Sequence, residues 1–311
     1  MSTGRQKIEA ALSPHGTDEI PAVICYEGIY VRDHWDQLFR YPWWYSLSPD
    51  LNHQLAWRGQ LIEETGQDWF YLPACETDEA RRRLKIKVRG DGVYQVDALT
   101  GEAILLSRPT VGGWGEYESL NPFHPTEIPT TFAEVEQRIP PPMPFDRRRF
   151  KQEGRDRLAN LLLSRYAADY FPFAHATGPQ WVCYHLWGFE EWMMMVASDP
   201  ALVRFASQRY LAYSLNEIRE AAALGERGIW IEDCMVDMIS RAAYEALNLP
   251  LIQTMVEEIR SLGMRSIYYF CGDPKGKLEL LLATGADALA LEESKKGFDI
   301  DIAEVAEYVD G

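Results

Sequence analysis

No run of apolar residues in this 311-residue chain approaches the roughly 20 needed to cross a bilayer. The N-terminal stretch MSTGRQKIEAALSPHG has no apolar centre of the kind a secretion signal requires. Positive charge is scarce: 31 Lys and Arg stand against 47 Asp and Glu, a formal net charge of −16. A nucleic-acid binder needs clustered cations, and the short basic runs at 81–83 and 147–149 are flanked by acids, so they read as solvated surface. Cysteines number five, widely spaced and odd, which excludes a disulfide framework and points to a reducing cytoplasm. Neither CxxC nor HxxxH occurs, so no metal site is spelled out by local spacing. There is no internal repeat.

What is there is alternation. From residue 169 onward, short apolar runs (YFPFAHA at 170–176, GIWIEDC at 228–234, SIYYFC at 266–271, DALALEE at 287–293) are separated by amphipathic stretches. LIQTMVEEIRSL at 251–262 places Leu251, Ile252, Met255, Val256, Ile259 and Leu262 on one helical face. Strands alternating with helices predict right-handed βαβ units and a parallel sheet. Upstream, PAVICYEG at 21–28 and DWFYLPA at 68–74 read as further strands, with a Trp-rich helical segment between them. Residues 84–107 differ in kind, alternating at period two with DG and TG turns, which predicts an antiparallel hairpin or three-stranded insert. The expected architecture is therefore α/β, a TIM-barrel-like (β/α) fold over 1–311 as one domain, with a β-hairpin insertion at 81–108. About six βα units are visible against the eight of a closed barrel, as if the last two were lacking. The exposed sheet edges of such an open barrel predict a homodimer or larger homo-oligomer.

The inferred strand ends carry the chemistry. Cys25 and Glu27 close the first, Cys75 and Glu76 follow the second, and His175 lies near the end of the third. Glu232, Asp233 and Cys234 end the fourth, Cys271 and Asp273 the fifth, Glu292 and Glu293 the sixth. In barrels of parallel strands the active site is built at those ends. Taken singly, a strand cysteine is more often a small buried hydrophobe and a carboxylate after a strand more often a helix cap; it is the recurrence that points to a site. Thiolate with carboxylate or imidazole suits zinc, and the many aromatic residues suit either a core or the walls of a site for a flat ring.

The runs GIWIEDCMVDMIS, YYFCGD and LLLATGADALALEE, with PAVICYEGIYVRDHW near the N-terminus, resemble the uroporphyrinogen decarboxylase superfamily, above all its corrinoid-linked methyltransferase branch. The resemblance implies a TIM-barrel-like fold and methyl transfer between a protein-bound corrinoid and a small methylated or thiol substrate. A corrinoid protein would be the partner. The strand-end groups Asp233, Glu232, Glu292 and His175 are then the expected catalytic set. Tyr26, Glu27, Arg32, Tyr184 and Tyr269 would bind substrate, and Cys271 and Cys234 would hold a metal such as zinc. That branch carries His-x-Cys on one strand; here the tripeptide is Tyr269-Phe270-Cys271, with tyrosine in the histidine position. Two alternatives stand beside it: decarboxylation of a uroporphyrinogen-like carboxylate, for which Arg32 is the lone cation of the N-terminal loop, and a non-catalytic barrel subunit.

Overall fold

The structure, a computed structural model, describes residues 2–13, 15–109, 125, 127–292 and 297–310. Two sheets are formed. Five parallel strands, β1 (Trp69–Tyr71), β5 (Phe171–Thr177), β6 (Gly228–Asp233), β7 (Arg265–Phe270) and β8 (Ala288–Leu291), lie side by side in that order. Three antiparallel strands, β2 (Leu84–Arg89), β3 (Gly92–Asp97) and β4 (Ala103–Leu106), form the insert expected from the period-two pattern. The α/β class, the parallel sheet and the antiparallel insert thus agree with the sequence reading.

One expected strand is not a strand. Residues 21–24 belong to no sheet: the amide of Ala22 donates to the Asp68 carboxylate (Oδ2, 2.7 Å) and that of Ile24 to the Gln67 side chain (Oε1, 3.2 Å). Side chains just ahead of β1 take the donors that a neighbouring strand would have used, so no ladder forms. Five parallel strands are present among the described residues rather than six, and they are not seen to close into a barrel.

The chain divides into two compact units. The first comprises Met1–Ser119, Asp146–Phe173 and Ala223–Glu226. It holds the antiparallel sheet, β1 and the helix Leu51–Thr65, and the Trp-rich segment supplies an aromatic core in which Trp35 and Trp57 lie 5.5 Å apart with Val31, Phe39 and Leu61 around them. The second comprises Leu120–Phe145, Ala174–Ala222 and Arg227–Gly311, so the division falls inside β5. Its core is the face of β6 and β7 that carries Ile229, Ile231, Tyr268 and Phe270, covered by side chains of the helices Pro179–Trp187, Pro200–Leu224 and Leu249–Ser261. The last of these presents Leu251, Ile252, Met255, Val256 and Ile259 to the interior, the face its periodicity predicted; Leu262, one residue past the helix, is exposed instead. No described helix is long and apolar enough to cross a membrane.

Candidate active site on the sheet of the second unit

Side chains alternate across a pleated sheet, so strand register decides which strand-end residues can meet. Glu232 pairs with Tyr269 across β6 and β7, and Tyr269 with Ala290 across β7 and β8. Trp230, Glu232 and Tyr269 therefore share one face, and the next pleat adds Cys234, Cys271 and Glu292. His175 belongs to the same surface: its ring lies 6.4 Å from that of Trp230, which lies 5.2 Å from Tyr269. The Cys271 thiol donates to the Glu292 carboxylate at 3.4 Å. The neighbouring Cys271 sulfur, together with burial, pushes the Cys234 thiol well above its ordinary pKa. Burial raises the Glu232 carboxyl and lowers His175 to about 4, so the imidazole is neutral at pH 7. Glu293 lies outside the described residues.

Asp233, one residue from Glu232, is on the other face. It is 0 % exposed, and its Oδ2 accepts from Asn248 Nδ2 at 2.7 Å and from the Tyr268 hydroxyl at 2.8 Å. Tyr268 is joined in turn to the Tyr244 hydroxyl at 2.8 Å. Burial raises Asp233 to about 6 despite those two donors. This is a core network beneath the helices, not part of the Cys271 surface. Tyr184, expected to touch substrate, is likewise 2 % exposed and stacks on Trp181 with ring centroids 5.2 Å apart.

The remaining expected residues are in the first unit. Tyr26 is exposed in the turn before the helix Glu27–Leu38. Arg32 is paired with its neighbour Asp33 at 2.7 Å. Glu27 is half-buried, accepts from Gln67 Nε2 at 2.7 Å and is raised in pKa chiefly by burial. Of the cysteines, only Cys234 and Cys271 sit directly at strand ends. Cys25 lies in a turn, and the Cys75 thiol donates to the carbonyls of Gly154 and Arg155 at 3.4 and 3.3 Å.

Two thiols and one carboxylate lie near one another, but among the described residues no three His, Cys, Asp or Glu side chains are arranged to hold a metal. Tyr269, in the position expected for histidine, offers a phenol above the sheet instead. As it stands the surface does not fit a tetrahedral zinc ion.

The loops after β6 and β7 brace each other. Lys277 Nζ donates to the Asp237 carbonyl at 2.7 Å, and Arg241 donates to the Gly276 carbonyl and to Glu279, each at 2.6 Å. Met235, just after Cys234, holds the left-handed φ of 66° that few non-glycine residues adopt. Gly272, just after Cys271, sits at φ 130°, where a methyl group would run into the Asp237 carboxyl. Gly272→Ala is therefore expected to destabilise the protein by about 2–4 kcal/mol through backbone strain and overpacking, read as a lowered urea midpoint. An unchanged midpoint would mean that this junction is loose.

The fold is that of a methyltransferase from Methanosarcina mazei, with a TM-score of 0.61 and 17% sequence identity over 99% of this chain and 80% of that one. Among curated proteins no sequence relative is found. The uroporphyrinogen decarboxylase (URO-D) pattern matches residues 134–309, which take in β5 to β8 and every residue of the Cys271 surface. With more than half of its length matched, the chain belongs to the uroporphyrinogen decarboxylase family.

Proposed function

We propose that this chain is a methyltransferase that moves a methyl group between the corrinoid of a partner protein and a small methylated substrate, with Glu232 as its proton donor. The observation that carries this reading is a half-buried carboxyl of raised pKa on the same sheet face as the Cys271–Glu292 pair. The methyltransferase with the same fold supports it.

Methyl transfer from an ether is a displacement at carbon. The nucleophile bonds to the methyl carbon, the carbon–oxygen bond breaks, and the oxygen keeps the electron pair. An alkoxide or phenoxide leaves poorly unless it is protonated as the bond breaks. Glu232, whose pKa burial raises, gives its proton to that oxygen and becomes the carboxylate, while the substrate leaves as an alcohol or phenol. Glu232 makes no side-chain hydrogen bond among the described residues, so that proton is uncommitted. Trp230 and Tyr269, tilted 30° to one another, form an aromatic wall against which a flat ring can lie. His175, neutral, serves as a hydrogen-bonding group rather than a charge.

The test is to incubate the purified chain with reduced cobalamin and a panel of methoxyarenes, methylamines and thioethers. The cobalamin spectrum and the demethylated product are followed together. Product formed in step with methylcobalamin is the expected result. Carbon dioxide released from a porphyrinogen, with no methyl transfer from any donor, would replace this reading with decarboxylation.

A further inference from the structure

The first unit contains a cavity of about 210 Å³ that takes no part in the chemistry above; Ser46, Gln54, Arg58, Cys75, Glu76 and Gln95 are among its lining residues. Its strongest feature is Arg58. The guanidinium lies over the Trp57 ring, 4.2 Å from the centroid, and 6.0 Å from that of Tyr71. Its Nε is shut off from water and has no hydrogen-bond partner among the described residues. Desolvation lowers the guanidinium to about 10, against the partial compensation of Glu27. Glu27 is not a dedicated counter-ion: its carboxylate is held by Gln67 and is itself made reluctant to ionise by burial. A cation with an unanswered donor in a desolvated place costs stability. Desolvated, perturbed cations of this kind cluster at functional sites.

We infer that this cavity binds a small organic monocarboxylate, with Arg58 as the residue that holds the carboxylate. A guanidinium fork matches a carboxylate edge to edge. The flat contact with Trp57 fixes the plane of that fork, so little conformational freedom remains to be lost on binding. The cavity lies below the usual range of drug-sized sites, which limits the ligand to a small molecule. Glu76, exposed at the same cavity, sets a negative charge against any second anionic group. A monoanion with an uncharged or cationic far end fits; a dicarboxylate or phosphate dianion does not. The buried amide of the lining is already committed within the protein: Gln54 Nε2 donates to the carbonyls of Tyr45, Ser46 and Ser48 at 2.8–2.9 Å. Arg58 is the one cation among the lining residues, so it takes the anion. The proposal does not depend on methyl transfer and stands or falls separately from it.

The experiment is calorimetric titration of the full chain with short monocarboxylates, such as isobutyrate and benzoate. Their primary amides, succinate and inorganic phosphate are titrated in parallel. Saturable binding of at least one monocarboxylate, with its amide about tenfold or more weaker, is expected. Arg58→Met should lose that binding and, with no ligand present, should melt no lower than the wild type, because an unanswered buried charge has been removed. Glu76→Gln provides a second reading should Arg58→Met fail to fold: it should bind the monocarboxylate more tightly and begin to accept succinate. Absence of binding by every monocarboxylate, equal binding of the amides, or binding retained in Arg58→Met would each overturn the proposal.

Discussion

Glu232→Gln should lower methyl transfer by about 10²–10⁴-fold, the range over which a positioned general acid contributes, with little change in melting temperature. The two halves of that expectation have separate causes. An amide has the shape of the acid but no proton to give, so the leaving oxygen must depart as an anion. Stability is spared because the Glu232 side chain anchors nothing: its backbone carbonyl, which accepts from the Gly178 amide at 2.7 Å, is untouched by the substitution. The wild-type pH profile should carry the signature of the same group. Glu232 acts in its protonated form and burial holds its pKa above the ordinary carboxylate value. The rate should therefore fall as pH rises through that raised pKa, and Glu232→Gln should lose this limb. Unchanged turnover in the variant, measured by loss of methylated substrate, would remove Glu232 from the reaction.

The contrast between Glu232 and Asp233 also marks how far the sequence could be read. The runs GIWIED and SIYYF were recognisable as strands because branched and aromatic residues crowd into five or six positions bounded by glycine or charge. The helix Leu249–Ser261 was recognisable from its apolar stripe, and the insert from its DG and TG turns. Which acid faces which side is a different kind of fact. It depends on where the pleat of β6 stands relative to the helices above it, and two adjacent carboxylates look alike until that is known. The segment at 21–24 misled for a related reason: its composition is that of a strand, but Gln67 and Asp68, over forty residues away, satisfy its amides. Arg58 left no trace at all. It is one cation in LAWRGQL, between the buried Trp57 and Leu61, and no spacing rule distinguishes a guanidinium that turns into a cavity from one that reaches water.

Asp233→Ala should cost about 2–5 kcal/mol of stability, because it removes the acceptor for two buried donors at once. Asn248 Nδ2 is left with a 3.4 Å approach to the Tyr268 hydroxyl, and the Tyr268 proton with Tyr244 in place of a carboxyl oxygen. For a chain of this size that is a fall of roughly 3–8 °C in melting temperature. The size of the fall should depend on pH in a definite direction. Burial raises the folded pKa of Asp233 from 3.8 to about 6. Between those values the folded protein holds a proton that the unfolded chain has released, so this residue's contribution is complete below about pH 4 and lost as pH rises through 6. The whole swing is on the order of 3 kcal/mol. His175 works the other way, since its lowered pKa weakens the fold as pH drops from about 6.5 toward 4, but it is present in both proteins and cancels in the difference. The gap between wild type and Asp233→Ala should thus be widest near pH 4 and narrow by pH 7. Asp233→Asn, whose amide oxygen can still accept from Asn248 and Tyr268, should recover much of the loss while lacking the pH slope. Urea midpoints of the three proteins at pH 4.5 and pH 7.5 decide it. An Asp233→Ala gap that stayed constant or widened with pH would mean that Asp233 is ionised in the folded protein at both values and that the network is held as a charge.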